Sequence, residues 1–506
     1  MSRVRKQRPL GRTGPVAIGA VVTIGAVVTA GAVAMRRRAS RRNDPPRPTG
    51  SRYRRADRTI ELARIGARTG VSYAAMSARS IGATEQRRDE LRSQFELRTA
   101  EEVTAALGSM KGAVMKLGQM ASYLDQGLPD AVRETLAQLQ SDAPPMSFEL
   151  VASTLEAELG VGPDVAFASF DRQPLAAASI GQVHRAITHD GLEVVVKVQY
   201  PGVDAAIRAD LDNSDLLFGA MAMLFPGMDP KPIVGELRDR LTEELDYRSE
   251  ARWQRRFAEH YQGHPTIAVP FPIEELSTGR LLTSELAVGA SWTEMLDWPQ
   301  AERDLAAETM YRFAFGGIYR LGLFNGDPHP GNYLFQRGGR VTFLDFGLCK
   351  ELSAATLTTL RDLICAMVID RDITEFRRIT RAAGLLVDDA RFSDDQIEDY
   401  FGHFYEFVMK DEVSTMTAEY ASASVRRYFD LGSEHIDVMK SANLPADWVI
   451  VQRINLGLFS LFGELGATGN WRRIAEEIWP WVSRDPSTPM GRAIRDWERS
   501  REIGTE

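Results

Sequence analysis

The chain has 506 residues, which is long enough for two or three domains or for one large two-lobed domain. Hydrophobic residues make up 44% and charged residues 26% of the sequence, so the composition is globular and excludes a largely disordered protein. The formal net charge of −8 gives no reason to expect nucleic-acid binding, and we predict none. The two cysteines, Cys349 and Cys365, are too few for a disulfide framework or a multi-cysteine metal site.

The N-terminus is basic and contains one long uncharged segment. Residues 16–35, VAIGAVVTIGAVVTAGAVAM, carry no charge and no proline. A helix of this length spans about 30 Å, the thickness of a bilayer core. We predict a single transmembrane anchor here, and the nine arginines of residues 36–55 favour a cytoplasmic location for the large domain that follows. A signal peptide and a low-complexity tail remain alternatives, because AVA resembles a cleavage site and the segment lacks Leu and Phe.

Changes in composition predict four regions. A linker rich in proline and charge ends near residue 57, and helical patterns follow it. The clearest helix starts at Thr99, where Thr99 and Glu102 form a capping-box pattern. The regions are 1–57 (basic N-terminus, anchor and linker), 58–150 (helical extension), 151–289 (strand-rich lobe) and 290–506 (mostly helical lobe).

The strand-rich lobe contains two predicted strand pairs. A short helix ends near residue 159, and strands follow at 182–187 and 192–199, joined by an Asp-Gly turn. Residues 267–269 and 281–286 form a second predicted pair. Helices are predicted between the two pairs, and from residue 300 the chain reads as helical except for one loop and hairpin described below.

Lys197 lies in the middle of a valine-rich strand, EVVVKVQ. One interpretation is a lysine on an edge strand that faces solvent. The other is a lysine held on a rigid strand to meet nucleotide phosphates and oriented by a carboxylate. The small-residue stretch AAASIGQ, 176–182, precedes the hairpin and would let backbone N–H groups approach phosphates. The predicted helix 231–262 offers three acidic partners for the lysine, which are Glu244, Asp246 and Glu250.

The stretch NGDPHPGNYLFQRGGRVTFLDFG, 325–347, carries the strongest functional signal. Asp327 and Asn332 are five residues apart in a loop stiffened by prolines, and a predicted hairpin returns Asp345 to the same neighbourhood. Mg²⁺ prefers oxygen ligands such as those of Asn332 and Asp345, which would leave Asp327 free to accept a proton or orient a nucleophile. If only Asp327 and Asn332 are considered, the alternative is a loop whose polar side chains merely cap backbone amides.

The chain resembles a protein-kinase core, because four features of that core follow one another in the same order: a strand lysine, an acidic helix, D-x4-N and D-F-G. More narrowly, the chain resembles the AarF/UbiB atypical kinase-like family, which is linked to quinone and lipid metabolism. The resemblance covers about residues 100–350. It is carried by KLGQ (Lys116, Gly118, Gln119), by AAASIGQVH in place of a glycine-rich loop, by ELD (Glu244, Asp246), and by DPHPGN with DFG.

The resemblance implies an α+β, two-lobed protein-kinase-like fold with an N-terminal helical extension. It implies ATP and Mg²⁺ as cofactors, with Asp327 and Lys197 as catalytic residues and Asn332 and Asp345 as metal ligands. Glu250 would be the usual helix partner of Lys197, and Glu244 and Asp246 the family's own acidic pair, although the sequence leaves open whether Glu244 or Glu250 pairs with the lysine. The remaining implied nucleotide contacts are Ala176, Ala177, Ala178, Ser179, Glu285 and Leu286.

Two features argue against a peptide substrate. After Asp345 the chain reads DFGLCKELSAATL, Ser353 is a predicted helix N-cap, and no A-P-E sequence follows, so an activation segment has almost no room. The family further implies that the KLGQ helix lies over the cleft, with Lys116 and Gln119 pointing into it.

We therefore expect a membrane-associated ATPase or a small-molecule or lipid kinase that supports quinone biosynthesis or lipid homeostasis. Its expected partners are ATP and either membrane lipids or an isoprenoid or quinone-type molecule, and the sequence names no protein partner. A protein serine/threonine kinase and a non-catalytic pseudokinase scaffold are the alternatives. His403 and His435 are predicted to be incidental surface residues rather than ligands.

Overall fold

The computed structural model describes residues 146–503 apart from 179, 205–241, 243–244, 387–390, 430–437, 439–440 and 442–445. All of them belong to one compact unit, Leu107–Glu506. The predicted anchor, the KLGQ residues Lys116, Gly118 and Gln119, and also Ser179, Glu244 and His435, lie outside the described residues. Across the described part of the chain, none of the helices is both long enough and apolar enough to cross a membrane.

The described chain has a mixed α+β fold, with an antiparallel sheet followed by a mostly helical part. The elements of the sheet region are α1 (Phe148–Leu159), α2 (Pro163–Ala166), β1 (Ser169–Phe170), β2 (Ala176–Ala178), β3 (Gly181–Ile187), β4 (Glu193–Gln199), α3 (Tyr247–His260), β5 (Ile267–Ala268) and β6 (Leu281–Glu285). The sheet has five strands in the order β1-β3-β4-β6, with β2 also paired to β3. The β3–β4 hairpin matches the predicted one, with Gly181 opposite Gln199 and Ile187 opposite Glu193.

Strand alternation determines which way Lys197 points. Val194, Val196 and Val198 are fully buried, and they share a small core with Val151 and Leu155 of α1. Because successive side chains of a strand point to opposite faces, Lys197 must point away from this core. The valine-rich composition of β4 thus packs one face of the sheet and leaves the lysine on the other.

The second predicted strand pair is wrong. β5 does not pair with β6, because β5 pairs in parallel with a strand more than seventy residues later, Ile267 with Val341, and β6 pairs with β4. Residues 267–269 and 281–286 both carry strand-like sequences, but their partners are distant in the chain. The sequence alone therefore cannot reveal which strands they pair with.

The helical part is organised around one buried helix, α5 (Gln300–Gly316). Eleven consecutive residues of α5, from Ala306 to Gly316, are buried, as expected for a helix that is surrounded by other elements. The elements of the helical part are α4 (Trp292–Leu296), α5 (Gln300–Gly316), β7 (Leu323–Asn325), β8 (Tyr333–Gln336), β9 (Arg340–Phe343), β10 (Cys349–Glu351), α6 (Ala354–Ile364), α7 (Ile373–Ala382), α8 (Asp394–Gly402), α9 (Glu406–Met409), β11 (Ser414–Thr415), α10 (Ala418–Phe429), α11 (Ala446–Leu465), β12 (Thr468–Gly469), α12 (Trp471–Ile478) and α13 (Pro489–Ile503).

The predicted hairpin after the D-x4-N loop is confirmed. β8 pairs with β9, and Tyr333 lies opposite Phe343. The turn between them uses Gly338 and Gly339, both with φ of +77°, a conformation that glycine adopts without steric cost. The two-stranded ribbon of β11 and β12, in contrast, lies where the sequence predicted only helices.

Two histidines, half-buried His260 and buried His264, lie where α3 ends. Burial, together with the positive charges of Arg501 and Arg320, lowers the pKa of His260 to about 4. Burial, with Arg312, His260 and Arg340, lowers the pKa of His264 to about 3. The His264 side chain accepts hydrogen bonds through Nδ1 from the backbone amides of Thr266 and Ile267, at 3.2 and 2.9 Å, so its role in the native fold requires the neutral ring.

These lowered pKa values predict a loss of stability in mild acid. At pH 7 both histidines are neutral in the folded protein. The stability of the fold that depends on their neutral rings is complete above the ordinary pKa of 6.5, and it is lost as the pH falls towards about 4 for His260 and about 3 for His264. For His264 the free energy of unfolding should fall by about 1–2 kcal/mol between pH 7 and pH 5. His264→Asn keeps an acceptor for the two amides but does not titrate. Measured by urea unfolding, its free energy of unfolding should therefore fall by about 1–2 kcal/mol less than that of the wild type between pH 7 and pH 5. An equal loss in both proteins would contradict the assignment.

Candidate active site

Three side chains from distant parts of the chain meet on the face of the sheet opposite its core. Lys197 Nζ of β4 donates to both oxygens of Glu250, at 2.8 and 3.0 Å, and lies 3.4 Å from Asp345 Oδ2. The Glu250 side chain is only 5% exposed and Lys197 only 16%, so water screens this pair weakly. A lysine that faced solvent, the alternative raised by the sequence, is excluded.

Electrostatics keep Lys197 charged. Burial alone would lower the pKa of Lys197, but the carboxylates of Asp345 and Glu250 and the ring of Tyr247 outweigh it and raise the pKa well above its ordinary value. The ammonium also lies 4.9 Å from the centroid of the Tyr247 ring, a distance at which a cation and an aromatic ring attract each other. The lysine is therefore a permanent cation in the physiological pH range.

The acidic residues near the start of α3 are divided by where the helix begins. Asp246, a predicted partner of Lys197, is instead the N-cap, and its carboxylate accepts a hydrogen bond from the Arg248 amide at 3.1 Å. It is exposed, because the helix starts only at Tyr247 and the N-cap lies outside its regular spiral. Glu250 occupies the first turn of α3 and makes the contact with the lysine.

Aromatic packing links α3 to the segment that carries Asp345. Phe346, the next residue, is fully buried, and its ring centroid lies 5.2 Å from that of Phe257 on α3. Phe257 in turn packs on Phe313 of α5, at 5.5 Å, and Phe313 stacks on Phe343 at 3.6 Å. These contacts fix α3, Asp345 and the helical core relative to one another.

The D-x4-N loop is held by its own polar groups. The Asn332 side-chain amide donates to the backbone oxygen of Asp327 at 3.0 Å and to its carboxylate at 3.2 Å. Asn325, which the sequence reasoning missed, bridges the loop and the DFG segment: Nδ2 donates to the Asp345 backbone oxygen at 2.5 Å and Oδ1 accepts from the Asp327 amide at 3.2 Å. In the sequence, its position two residues before Asp327 could have pointed to this role. In the structure, Asn325 is the last residue of β7.

The same side chains line one small pocket. Asp327, Asn332, Asn325 and Asp345 form its polar side. Its other side is apolar and comes mainly from α5 and α11, through Met310, Phe313, Ala314, Ile454 and Leu458, with Pro328, Tyr333 and Phe343. The chemistry of this lining, polar on one side and apolar on the other, matches that of a polar group carried on an apolar molecule.

The polar side of this cavity has a donor set that suits Mg²⁺. Because the Asn332 amide nitrogen donates to Asp327, its Oδ1 is the atom that can face a cation. Asp345 Oδ1 accepts the Gly347 amide at 3.0 Å, and Oδ2 is the oxygen nearer Lys197. Within the described residues no cluster of three or more His, Cys, Asp or Glu side chains could hold a metal, so a cation here would need further ligands such as phosphate oxygens and water.

The alanine-rich stretch is a strand rather than a loop. Ala176–Ala178 form β2 and pair with β3, Ala178 opposite Gly181, because the hairpin turn is tight and leaves their backbone in ladder positions. Gly181 is required there, since a Cβ would lie only 2.2 Å from the Val198 backbone oxygen. At the other predicted nucleotide contact, the Glu285 amide donates to Phe271 O and the Leu286 amide donates to Glu193 O, both at 3.0 Å, so neither amide is open to a ligand.

The segment after Asp345 is short, as predicted. β10 pairs with β7, with Cys349 opposite Asn325, and α6 begins at Ala354. The predicted N-cap is confirmed, because the Ser353 hydroxyl accepts the Thr356 amide at 3.1 Å. The chain that would form a peptide-binding activation segment in an ordinary protein kinase is therefore used to pair with the strand that precedes Asp327.

His403 is not the surface residue that the sequence suggested. Its side chain is only 10% exposed, Nε2 lies 3.0 Å from Ser424 Oγ and Nδ1 lies 3.3 Å from Glu406 Oε2. The arrangement superficially resembles a catalytic triad, but Ser424 is fully buried and its hydroxyl donates to Tyr420 O at 3.0 Å. A serine in this position cannot reach a substrate, so the cluster is structural.

Comparison with known proteins places this site in a family. Residues 138–380 match the ABC1 atypical kinase-like domain. The chain is 34% identical over 293 residues to "Atypical kinase coq-8, mitochondrial" of Caenorhabditis elegans, covering 57% of this chain and 39% of that protein. It is 31% identical over 269 residues to "Atypical kinase COQ8, mitochondrial" of Saccharomyces cerevisiae, covering 52% of this chain and 53% of that protein. The aligned region thus spans about half or less of the length of these curated relatives.

A solved structure covers more of the chain. The complex of Rv3197 with erythromycin from Mycobacterium tuberculosis shares 31% sequence identity with it, at a TM-score of 0.57, and the match includes 79% of this chain and 100% of that one. The family match includes Lys197, Glu250, Asp327, Asn332 and Asp345, which meet in one site here. The chain belongs to the ABC1 atypical kinase-like family.

Proposed function

We propose that the protein is a two-lobed, kinase-like enzyme that binds ATP and Mg²⁺ between the sheet and the helical part and either hydrolyses ATP or phosphorylates a small or lipidic molecule. The observation that carries this proposal is the joint contact of Lys197 with Glu250 and Asp345. Lys197 lies on a rigid strand and its ammonium is held between two carboxylates, so it is pre-positioned for the phosphates of a nucleotide.

The residues of the site take distinct roles in this proposal. Lys197, oriented by Glu250, binds nucleotide phosphates, and Asn332 and Asp345 would hold Mg²⁺, which neutralises phosphate charge when bound. Asp327 orients the attacking hydroxyl or water and accepts its proton as the bond from the terminal phosphorus to the ADP oxygen breaks. The β2–β3 hairpin, with Ala176, Ala177, Ala178 and Ser179, would cover the phosphates.

Adenine recognition follows from which backbone groups are already used. The amides of Glu285 and Leu286 donate within the protein, so we assign the donor to adenine to the next residue, Ala287, and keep the Glu285–Leu286 segment as the wall of the adenine site. Val195 lies opposite Ser284 and shares the face of the sheet that carries Lys197, so the end of β6 lies beside the proposed phosphate site.

Two observations favour a small or lipidic acceptor over a peptide. The segment after Asp345 pairs with β7 and leads directly into α6. The cavity beside Asp327 has an apolar wall from α5 and α11. We propose an isoprenoid, quinone-type or membrane-lipid partner, and a membrane location through residues 16–35, with a role in quinone biosynthesis or lipid homeostasis. A role for the KLGQ residues Lys116, Gly118 and Gln119 in covering the cleft is part of this proposal, and Glu244 with Asp246 is kept as the family's own acidic pair.

Phosphate release from ATP tests the proposal. The full chain should release phosphate in a Mg²⁺-dependent way, faster with membrane lipid vesicles than without, and Asp345→Asn should reduce the rate to background because a metal ligand is lost. Label transfer from ATP to a protein in the wild type, abolished by Asp327→Ala, would favour a protein kinase instead. Equal background rates for wild type and Asp345→Asn would leave only a non-catalytic scaffold.

A further inference from the structure

The last helix of the described chain, α13, contacts the end of α3, the helix that carries Glu250. Trp497 Nε1 donates to the backbone oxygen of Gln262 at 3.2 Å, and the Arg501 guanidinium donates to the backbone oxygen of His260. The Arg501 guanidinium also lies over the Trp497 ring, 5.0 Å from its centroid. Two side chains of α13 thus bind backbone oxygens at the C-terminal end of α3 and just beyond it.

These contacts complement the chemistry of a helix C-terminus. The last carbonyl groups of a helix lack intrahelical donors and carry partial negative charge. Arg501 supplies both a donor and a positive charge to such a carbonyl, that of His260. The Trp497 ring packs edge-on against His264, with centroids 4.6 Å apart, and so fixes the turn that follows α3. The end of α3 is therefore capped by a segment more than two hundred residues away in sequence.

The beginning of α13 is anchored in the helical core. Met490 is buried, and its sulfur accepts a hydrogen bond from the Thr309 hydroxyl of α5 at 3.3 Å. Gly491 lies so close to Glu477 that a Cβ would be 2.1 Å from its Oε2. Glu498 forms an ion pair with Arg320, which follows α5. The helix α13 therefore connects the rigid core to the end of α3.

The position of α3 matters because the site depends on it. Glu250 in its first turn binds Lys197 at 2.8 Å, and Phe257 contacts Phe346 beside Asp345. Between Glu250 and His260 the helix rises about 15 Å, and a regular helix transmits a shift at one end to the other. A change at the end held by Arg501 would thus move the carboxylate that orients the lysine.

We propose that Trp497 and Arg501 are positioning residues, which hold α3 so that Glu250 meets Lys197. The part of this inference that concerns nucleotide rests on the proposed function. The C-terminal helix then contributes to nucleotide affinity without touching the nucleotide. By reciprocity, bound nucleotide should stabilise the contact between α13 and α3.

Hydrogen exchange of the full chain, read by mass spectrometry, tests the positioning without any nucleotide. In Arg501→Gln and in Trp497→Ala, peptides from residues 247–260 should exchange at least about fivefold faster, while peptides from α5 stay unchanged. Arg501→Lys should restore slow exchange, because a lysine can still donate to the His260 carbonyl. Arg499→Gln is the matched control, since Arg499 lies on the same helix, is 66% exposed and forms a long ion pair with Asp496, at 3.8 Å. Unchanged exchange in residues 247–260 in both test variants would overturn the inference.

The same variants separate this inference from the proposed function. If the wild type binds ATP with Mg²⁺, Arg501→Gln should weaken the affinity at least about fivefold and Arg501→Lys should recover it. Equal affinities for wild type and Arg501→Gln would overturn the link to the site. If the wild type binds no nucleotide, the proposed function fails, and the exchange experiment still decides whether α13 positions α3.

Discussion

Lys197→Met is expected to lower the free energy of unfolding by about 3–5 kcal/mol, because it leaves a buried carboxylate without its cation. Glu250 is 5% exposed and its two oxygens are both bonded to the lysine, at 2.8 and 3.0 Å. The same change should abolish binding of ATP with Mg²⁺ under the proposed function. Guanidinium unfolding and nucleotide titration measure the two effects. If Lys197 faced solvent instead, its replacement would leave the free energy of unfolding almost unchanged, and that result would contradict the prediction.

A double variant distinguishes the loss of a partner from the loss of a binding group. Lys197→Met with Glu250→Leu removes both charges, so most of the lost stability should return while nucleotide binding stays absent. Lys410→Met is the matched control, because Lys410 is 70% exposed and 3.7 Å from Glu412, and it should change stability by less than about 1 kcal/mol. A double variant as unstable as the single one would show that packing around the lysine, rather than its charge, holds this region.

Features that depend on neighbouring residues could be predicted from the sequence. The valine-rich run 193–199 predicted the strand that carries Lys197, and the prolines and glycines around Asp327 indicated a stiff loop followed by a hairpin. Ser353 followed by a helical pattern gave the N-cap, which is confirmed. Each of these depends on local preferences of the backbone, which a short stretch of sequence already contains.

Features that depend on distant contacts could not be predicted. Asp246 and Glu250 are equivalent candidates on a helix wheel, and only the observed start of α3 at Tyr247 separates a cap from a partner of Lys197. The pairing of β5 with β9, the burial of His403 and the capping of α3 by Arg501 join residues far apart in the chain. Their energies come from packing that no single segment specifies.

Gly181→Ala is expected to destabilise the fold by about 3 kcal/mol, a cost typical of forcing an atom into a closely packed position. An added Cβ would lie 2.2 Å from the backbone oxygen and 2.9 Å from the carbonyl carbon of Val198, so β3 and β4 would have to separate. Val198 follows Lys197 directly, and the lysine would move with the strand. Urea unfolding measures the first effect and titration with ATP and Mg²⁺ the second.

Gly162→Ala is the matched control in the same part of the fold. Nothing lies within 4 Å of an added Cβ at Gly162, and its φ of −72° suits any residue, so the change should cost less than about 1 kcal/mol. If Gly181 served only to make the alanine-rich hairpin flexible, alanine would reduce the entropy of the unfolded chain and raise stability by about 0.4–1 kcal/mol. The sign of the change therefore decides between close strand contact and flexibility as the reason that this position is glycine.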